Sequence, residues 1–332
     1  MKNMLESVLK SDIELVNAHI ARMLRSENER MQEIIDWILA EKGKQLRPKL
    51  ACLSSKFGKT SDETAKMAAM LEIIHMASLV HDDIIDNSDM RRGRLSVQKK
   101  FGRHMAVYAG DYMLFCVVKE ATASNIINYR KYASLYTVVQ KMCYGEIGQD
   151  SDQYQTTVTE DTYLSNINGK TANLFSTACE IGALTAKAPT KVVAALAEFG
   201  KNLGLLFQIK DDLIDYMSSE EEAGKPVLQD FVHGIYTLPI VYSFENADSK
   251  QKLLAIAEKV KINGLDRATA KEIFKIVHES HGMTKTFAKA KELYEAATKS
   301  LSDLPNIDAK AHLSSILEML YQSLYMDKIA TC

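Results

Sequence analysis

Two aspartate clusters, each placed at the end of an apolar stretch, are the residues best suited to chemistry in this sequence. Segment 82–86 reads D-D-I-I-D and segment 211–215 reads D-D-L-I-D. In an α-helix the first and last aspartates of each segment project from one face, one turn apart. Like charges at this spacing repel, so a compensating cation is expected. A single cluster could be a solvated helix end, but two facing helices of this kind would form a carboxylate cage that suits magnesium better than zinc.

Basic residues lie near the first cluster in the sequence. Segment 90–94 reads M-R-R-G-R, and Lys44 and Arg47 are spaced for one face if their turn is helical. Arginine binds phosphate oxygens with two parallel hydrogen bonds, so cations beside metal-binding aspartates imply an anion such as a diphosphate. His75 lies on nearly the same side of its helix as Asp82, although a lone histidine is more often a buried structural residue.

The elements that would position these residues are helices. Apolar residues recur at spacings of three and four along most of the chain, and only 5 prolines and 15 glycines interrupt it. No segment is long or polar enough to serve as an interdomain linker, so we predict one all-α domain over residues 1–332. The predicted helices cover about 12–40, 62–86, 105–123, 132–149, 160–186, 190–217, 235–246, 250–262, 266–280, 284–302 and 309–327.

Composition excludes several classes of protein. The formal net charge of -2 argues against a nucleic-acid partner. The 5 cysteines form no C-x-x-C pair, so a zinc site and a disulfide framework are not expected. The first residues lack the apolar core of a signal peptide, and no continuous apolar run approaches the ~18 residues of a membrane span. We therefore expect a cytoplasmic enzyme with at most peripheral membrane contact.

A set of short motifs, taken together, resembles a known enzyme family. In motif, order and spacing the chain is similar to the trans-isoprenyl diphosphate synthases of the polyprenyl synthetase family, long-chain type, over residues 43–239. Segments 1–42 and 240–332 carry no comparable motif and are assigned by continuity. The motifs are Gly43–Pro48, Glu72–His75, His81–Asp86, Arg91–Gly93, Gly110–Asp111, Gly145–Glu146, Gly169–Ala172, Phe207–Tyr216, Gly224–Pro226 and Thr237–Pro239.

The resemblance implies an orthogonal helical bundle around a deep central cavity, normally a homodimer, with assigned site residues. The implied Mg²⁺ ligands are Asp82, Asp86, Asp211 and Asp215. The implied isopentenyl diphosphate contacts are Lys44, Arg47, His75 and Arg92. The implied allylic contacts are Arg91, Lys170, Thr171, Gln208 and Lys225. The residues expected to act on the departing diphosphate, and so in catalysis, are Asp82, Asp86, Arg91, Lys170 and Asp211.

The implied reaction is the head-to-tail (1'-4) condensation of isopentenyl diphosphate onto an allylic diphosphate primer, with a product suited to quinone side chains. Metal ions and cations would neutralise the charge that builds on the departing diphosphate. The isopentenyl double bond would attack the allylic carbocation, and apolar walls would exclude water.

The residues before the first aspartate bear on product length. In this family, bulky aromatic residues four and five positions before that aspartate form the floor of the cavity in short-chain enzymes, whereas this chain has Ser78 and Ala77. A floor at Leu71 or Ile74, completed by Phe115, would lie up to about 16 Å below the aspartate and predicts a product of about C25 to C40. The alternative interpretation is that both small residues serve helix packing.

Two departures from the family pattern and three alternative functions remain. Ile235 stands where a lysine is usual, and Leu95 where a proline is common. The first change predicts the loss of a secondary phosphate contact, and the second affects the stiffness of a loop. A farnesyl or geranylgeranyl diphosphate synthase is the nearest alternative. A class I terpene cyclase would leave the isopentenyl contacts unexplained, and a non-catalytic subunit of a heteromeric synthase would not need both aspartate clusters.

Overall fold

The fold is almost entirely helical, as the sequence predicts. The computed structural model describes residues 7–41, 43–123, 129–217 and 227–329, and within them the only sheet is a two-stranded hairpin. The all-α fold class is therefore confirmed. Lys225 and Cys332 lie outside the described residues.

Contacts between Cα atoms divide the chain into two compact units. The first contains Met1–Val139, Thr177–Ala197 and Pro305–His312, and the second contains Gln140–Ser176, Glu198–Leu304 and Leu313–Cys332. The prediction of a single synthase domain over residues 1–332 stays a prediction.

The N-terminal part of the chain forms helices around one long buried helix, α4. This helix packs against α1, α3 and α6, and its residues from Met67 to Ile74 are buried. The elements are α1 (Lys10–Met23), α2 (Glu29–Leu39), α3 (Leu46–Ser55), α4 (Asp62–Ile85), β1 (Met90–Arg91), β2 (Arg94–Leu95), α5 (Val97–Phe101) and α6 (Arg103–Ala123).

The remaining elements include a π-helical turn that interrupts a longer helical stretch. They are α7 (Tyr129–Ser151), α8 (Glu160–Ile167), the π turn (Asn168–Ala172), α9 (Asn173–Thr185), α10 (Thr190–Met217), α11 (Gln229–Val232), α12 (Leu238–Ser243), α13 (Ala247–Asn263), α14 (Arg267–Glu279), α15 (Gly282–Ser302) and α16 (Asp308–Ile329). Every residue of α12 is buried, and its contacts with α14 and α15 help to form the core of the second unit.

The sequence prediction of one helix over residues 12–40 is wrong, because capping residues break it. The side chain of Asn28 accepts a hydrogen bond from the backbone N–H of Met31 at 2.9 Å and so starts α2. The backbone N–H of Ser26 donates to the side chain of Gln32 at 2.8 Å, which fixes the connection. The short helices α3, α5 and α11 were also missed, since each has too few residues to show a clear period.

Helix α10 is a candidate membrane span within the described residues. Over Thr190–Tyr216 it is long and apolar enough to span a bilayer by length and composition alone, with a mean hydropathy of 1.3. However, 56% of that stretch is buried inside the protein, as in the core helix of a globular fold. The helix also carries the second aspartate cluster, whose charges are costly in lipid.

Candidate active site

The last turn of α4 divides its three aspartates between two directions. The backbone N–H of Asp86 donates to the carbonyl of Asp82 at 2.8 Å, so the turn is helical. Asp82 is half-buried and Asp86 is exposed, whereas Asp83 is only 3% exposed. The carboxylate of Asp83 accepts hydrogen bonds from Arg91 through Nε at 2.9 Å and through Nη2. The outer two aspartates therefore present the accessible carboxylates, and the middle one orients an arginine.

The Gly110–Asp111 motif supports the residue that precedes this cluster. A Cβ atom on Gly110 would lie 2.2 Å from Nε2 of His81, so only a glycine on α6 leaves room for that imidazole ring. Asp111 pairs with the same nitrogen at 3.4 Å. The motif, which sequence reasoning left without a role, thus fixes the side chain next to Asp82.

A tight β-hairpin carries the arginines of the 90–94 segment. Met90 pairs with Leu95 and Arg91 with Arg94, which leaves Arg92 and Gly93 as the turn. Their φ angles of +50° and +80° are those of a type I′ turn, in which both central residues are left-handed. The guanidinium of Arg92 packs on Gly43, where an added Cβ would lie 2.3 Å from Nη1.

Two of the four predicted isopentenyl contacts, His75 and Arg92, line one cavity of the first unit. This cavity has a volume of about 330 Å³, and its walls include Gly43, Glu72, His75, Asp83, Arg91 and Arg92. Arg47 lies in the first turn of α3, but Lys44 is exposed and precedes that helix. The helical turn that would place Lys44 and Arg47 on one face does not form, because Gln45, with φ of 47°, is the N-cap residue between them.

Glu72 is a buried acid at this cavity to which sequence reasoning gave no role. It is 7% exposed, and the buried Oε2 atom has no hydrogen-bond partner among the described residues. Burial raises the pKa of Glu72, while the positive charges of Arg47 and Arg92 lower it. Burial also disfavours the charged form of Arg47 and lowers its pKa to about 10, and the negative charge of Glu72 opposes this effect. A buried carboxylate thus balances part of the positive charge at this cavity.

The surroundings of His75 favour its neutral form over its protonated form. Burial lowers the pKa of its imidazole well below the usual range, and Arg47, Arg92 and Arg91 lower it further. A neutral imidazole can donate one hydrogen bond and accept another, but it adds no charge for a phosphate. Its predicted role in substrate binding is therefore one of hydrogen bonding.

The second aspartate cluster repeats the division of the first. On α10, Asp211 is exposed and Asp215 is half-buried, whereas Asp212 is 5% exposed. Asp212 accepts hydrogen bonds from the hydroxyl of Tyr163 and from Nε2 of Gln208, the latter at 2.9 Å. Burial raises the pKa of Asp212 to about 7, and the two hydrogen bonds oppose that rise.

The π turn connects the predicted allylic contacts to this cluster. The hydroxyl of Thr171 donates to Oε1 of Gln208 at 2.8 Å, and Gln208 in turn donates to Asp212. Lys170 donates from Nζ to Oε2 of Glu146 at 3.0 Å. The Gly145–Glu146 motif therefore supplies a carboxylate partner for the lysine of the π turn.

Asp230, at the start of α11, is a further acid of the second unit that sequence reasoning missed. Burial raises its pKa to about 6, and the negative charges of Asp215 and Asp211 add to the rise. Lys170 and His233 act in the opposite direction. In the sequence, the only indication of a role for Asp230 is its position between the motifs Gly224–Pro226 and Thr237–Pro239.

The residues assigned to product length differ in accessibility. Leu71 and Ala77 are fully buried and Ile74 is 3% exposed, whereas Ser78 is half-buried and donates its hydroxyl to the carbonyl of His75 at 2.9 Å. Phe115, on α6, is 71% exposed. Ser78 is thus the assigned small residue that combines accessible surface with a position one turn before Asp82.

The residues predicted to bind metal belong to both units, Asp82 and Asp86 to the first and Asp211 and Asp215 to the second. Within the described ranges, no three His, Cys, Asp or Glu side chains are grouped closely enough to hold a metal ion. Each helix nevertheless offers two accessible carboxylates one turn apart, which is the donor type that hard divalent cations prefer. The predicted ligands therefore fit such an ion in chemistry.

Comparisons with known proteins show the family to which the chain belongs. The family model described as polyprenyl synthetase matches residues 28–277. A heptaprenyl diphosphate synthase component 2 from Geobacillus stearothermophilus is 34% identical over 93% of this chain and 95% of its own. The crystal structure of a decaprenyl diphosphate synthase from Rhodobacter capsulatus is 30% identical, with a TM-score of 0.90 over 98% of this chain and 99% of that one.

A further solved structure is informative about ligands. A polyprenyl synthase from Caulobacter crescentus, complexed with calcium and isoprenyl diphosphate, is 27% identical, with a TM-score of 0.86 over 97% of each chain. An all-α fold with two accessible aspartate pairs, and with arginines beside the first pair, thus defines an enzyme of the isoprenoid synthase class. The chain belongs to the polyprenyl synthetase family, and it is a prenyltransferase.

Proposed function

We propose that this enzyme condenses isopentenyl diphosphate head to tail with an allylic diphosphate to give a long all-trans polyprenyl diphosphate. One observation carries the proposal, namely that both D-D-x-x-D segments present their outer carboxylates and bury the middle one. A class I cyclase has no use for the second anion-binding set around Arg47, His75 and Arg92. Long-chain synthases are among the relatives, which supports a product of about C25 to C40 for quinone side chains, since the tail can pass the small residues before Asp82.

The proposed metal is Mg²⁺, held by Asp82, Asp86, Asp211 and Asp215. When bound, the metal would offset negative charge on the allylic diphosphate. The chain's own contribution is to orient the anions. Asp83 holds Arg91, and Glu146 and Gln208 hold Lys170 and Thr171. The carbocation requires a dry site, and the buried apolar residues of α4 supply apolar packing around the cluster.

The proposed assembly is a homodimer in the cytoplasm, and a heteromer is the specific alternative. The Geobacillus stearothermophilus relative is named as one component of a heptaprenyl diphosphate synthase. We expect the purified chain to elute at about twice its mass of 37.2 kDa and to be active alone. A monomer that turns over only with a second protein would support the heteromer.

Product analysis tests the proposed function. Purified protein is incubated with labelled isopentenyl diphosphate, Mg²⁺ and a series of allylic primers, and the products are sized. We expect activity that chelation abolishes and that Asp82→Ala or Asp211→Ala eliminates, while the helical circular dichroism is unchanged. Asp161→Ala, which removes an exposed aspartate from the first turn of α8, is the matched control and should retain full activity. Turnover in chelator, or in either cluster variant, would contradict the metal mechanism.

A further inference from the structure

The single tryptophan of the chain contacts the arginine hairpin and the helix that follows it. Trp37, on α2, donates from its indole Nε1–H to the carbonyl of Leu95 at 3.2 Å. Cζ of Arg94 lies 3.7 Å from the centroid of the same ring, and Nζ of Lys100 lies 3.2 Å from it. One side chain therefore binds β2 through a hydrogen bond and a cation–π contact, and it binds α5 through a second cation–π contact.

The hairpin needs such external support because it has little of its own. Each strand has two residues, and an isolated two-stranded hairpin is marginally stable at best. Arg92 adopts a left-handed backbone conformation, with φ of 50°, which a non-glycine residue adopts only at an energetic cost. The backbone bond from the N–H of Ser96 to the carbonyl of Asp89, at 2.9 Å, closes the base of the loop. The conformation of the tip thus depends on contacts made by the strands.

Two of the three arginines of the hairpin, Arg91 and Arg92, differ in how they are held. Arg91 is bonded to the buried carboxylate of Asp83, which belongs to α4 and fixes it directly. Arg92 lies at the turn, and its guanidinium reaches Gly43 at the wall of the cavity. A loss of order in β2 therefore displaces Arg92 more than Arg91. Trp37 also lines that cavity, so it meets the hairpin beside the anion site.

We infer that Trp37 is a positioning residue that keeps Arg92 directed at the isopentenyl diphosphate site. The inference rests on the proposed function for the identity of the ligand. The indole acts through the hairpin, and its loss leaves the charge of the site intact while it broadens the positions that Arg92 occupies. The affinity for isopentenyl diphosphate then falls, and the allylic substrate, whose arginine is held by Asp83, is affected less.

Calorimetric binding of isopentenyl diphosphate provides a measure that does not require turnover. We expect Trp37→Leu to weaken binding about tenfold, which is within the range of one charge-assisted contact. Trp37→Phe keeps a ring for Arg94 but loses the N–H donor, so it should weaken binding about threefold. The Michaelis constant for isopentenyl diphosphate should follow these changes, while kcat and the Michaelis constant for the primer stay within about twofold.

A rescue substitution separates positioning from general loss of stability. Arg91 and Arg94 close the two-residue turn, and Leu95 forms the next pair with Met90. The residues of that next pair exchange no hydrogen bonds in an antiparallel ladder, so the N–H of Leu95 makes no ladder hydrogen bond. Leu95→Pro therefore removes no hydrogen bond and stiffens β2. Introduced into Trp37→Leu, it should recover most of the lost affinity. In an Arg92→Ala background, Trp37→Leu should have little further effect, since both substitutions remove the same contact.

Tyr112→Phe is the matched control for the Trp37→Phe variant. The hydroxyl of Tyr112 donates to the carbonyl of Arg25 at 3.0 Å, so this variant also loses one side-chain bond to a backbone carbonyl, at a place outside the hairpin. Four results would each overturn the inference. They are unchanged binding in Trp37→Leu, a loss of affinity in Tyr112→Phe equal to that in Trp37→Phe, failed rescue by Leu95→Pro, and additive losses when Trp37→Leu is combined with Arg92→Ala. If Trp37→Leu does not fold, Trp37→Phe and its rescue decide. A wild-type protein that binds isopentenyl diphosphate but makes no polyprenyl product would contradict the proposed function and leave this test intact.

Discussion

At the scale of single residues, buried acids lie beside the groups proposed to bind phosphate. Asp83 holds Arg91, Asp212 accepts from Gln208, and Glu72 acts on the charges of Arg47 and Arg92. An arginine that must meet an anion in a fixed orientation loses less entropy if a carboxylate already restrains it. In both aspartate clusters the middle residue is buried and holds another side chain, which is Arg91 for Asp83 and Gln208 for Asp212.

Glu72→Gln is expected to destabilise the protein unless an anion is present. Removing one member of a buried charged group costs on the order of 3 kcal/mol, because the remaining charges lose their compensation. The thermal unfolding temperature should therefore fall. Millimolar inorganic diphosphate should raise the unfolding temperature of Glu72→Gln by more than it raises that of wild type. The exposed pair of Arg30 and Glu33 offers the control, since Glu33→Gln should change stability by less than about 1 kcal/mol. An equal response of both variants to diphosphate would count against a role for Glu72 in charge balance.

At the scale of elements, the π turn is positioned by close contact between two backbones. A Cβ on Gly169 would lie 2.7 Å from both Cα of Gly145 and the carbonyl oxygen of Lys141. Backbone atoms of α7 cannot move aside without distorting the helix that carries Glu146. The π turn and its lysine therefore keep their position only while both glycines are present.

Gly169→Ala should destabilise the fold by about 1 to 3 kcal/mol, the usual cost of an overpacked contact. The backbone movement that relieves this contact also displaces Lys170. The Michaelis constant for the allylic primer should therefore rise more than that for isopentenyl diphosphate. Gly148→Ala, on α7, serves as the control. Its added Cβ would lie 2.4 Å from Oδ1 of Asn166, which belongs to a side chain that can rotate. Denaturant unfolding and steady-state kinetics measure both effects, and similar behaviour of the two variants would refute the backbone explanation.

At the scale of the whole molecule, the sequence predicts the class of fold and the segments of the site better than it predicts their local geometry. The long helices α4 and α10 follow from apolar periodicity, and both aspartate clusters follow from their motifs. The break at Asn28 depends on a side-chain hydrogen bond, and Gln45 and the π turn are local backbone conformations. Apolar periodicity reports none of these features. The bond from Lys170 to Glu146 and the bond from Tyr163 to Asp212 join segments far apart in the sequence, so no local pattern could assign them.

The proposed product length belongs to the scale of the whole molecule, because the tail is proposed to extend along α4. Ser78→Phe places a ring one turn before Asp82, on the accessible side of the helix, and should shorten the product sharply with metal dependence unchanged. Ser165→Phe, at an exposed position of α8, controls for the added bulk. Chromatographic sizing of the products checks the prediction. A wild type that releases mainly farnesyl diphosphate, or an unaltered distribution in Ser78→Phe, would show that this residue does not set the floor.

The hydrogen bond between Tyr163 and Asp212 has a consequence for how this enzyme can evolve. Tyr163 lies on α8, outside every recognised motif, yet its hydroxyl satisfies the buried middle aspartate of the second cluster. A chain that replaces this tyrosine with phenylalanine leaves a buried carboxylate short of a donor, a cost of about 1 to 3 kcal/mol. Substitutions at positions 163 and 212 should therefore occur together, and their covariation would extend the inherited signature of the site beyond its aspartate motifs.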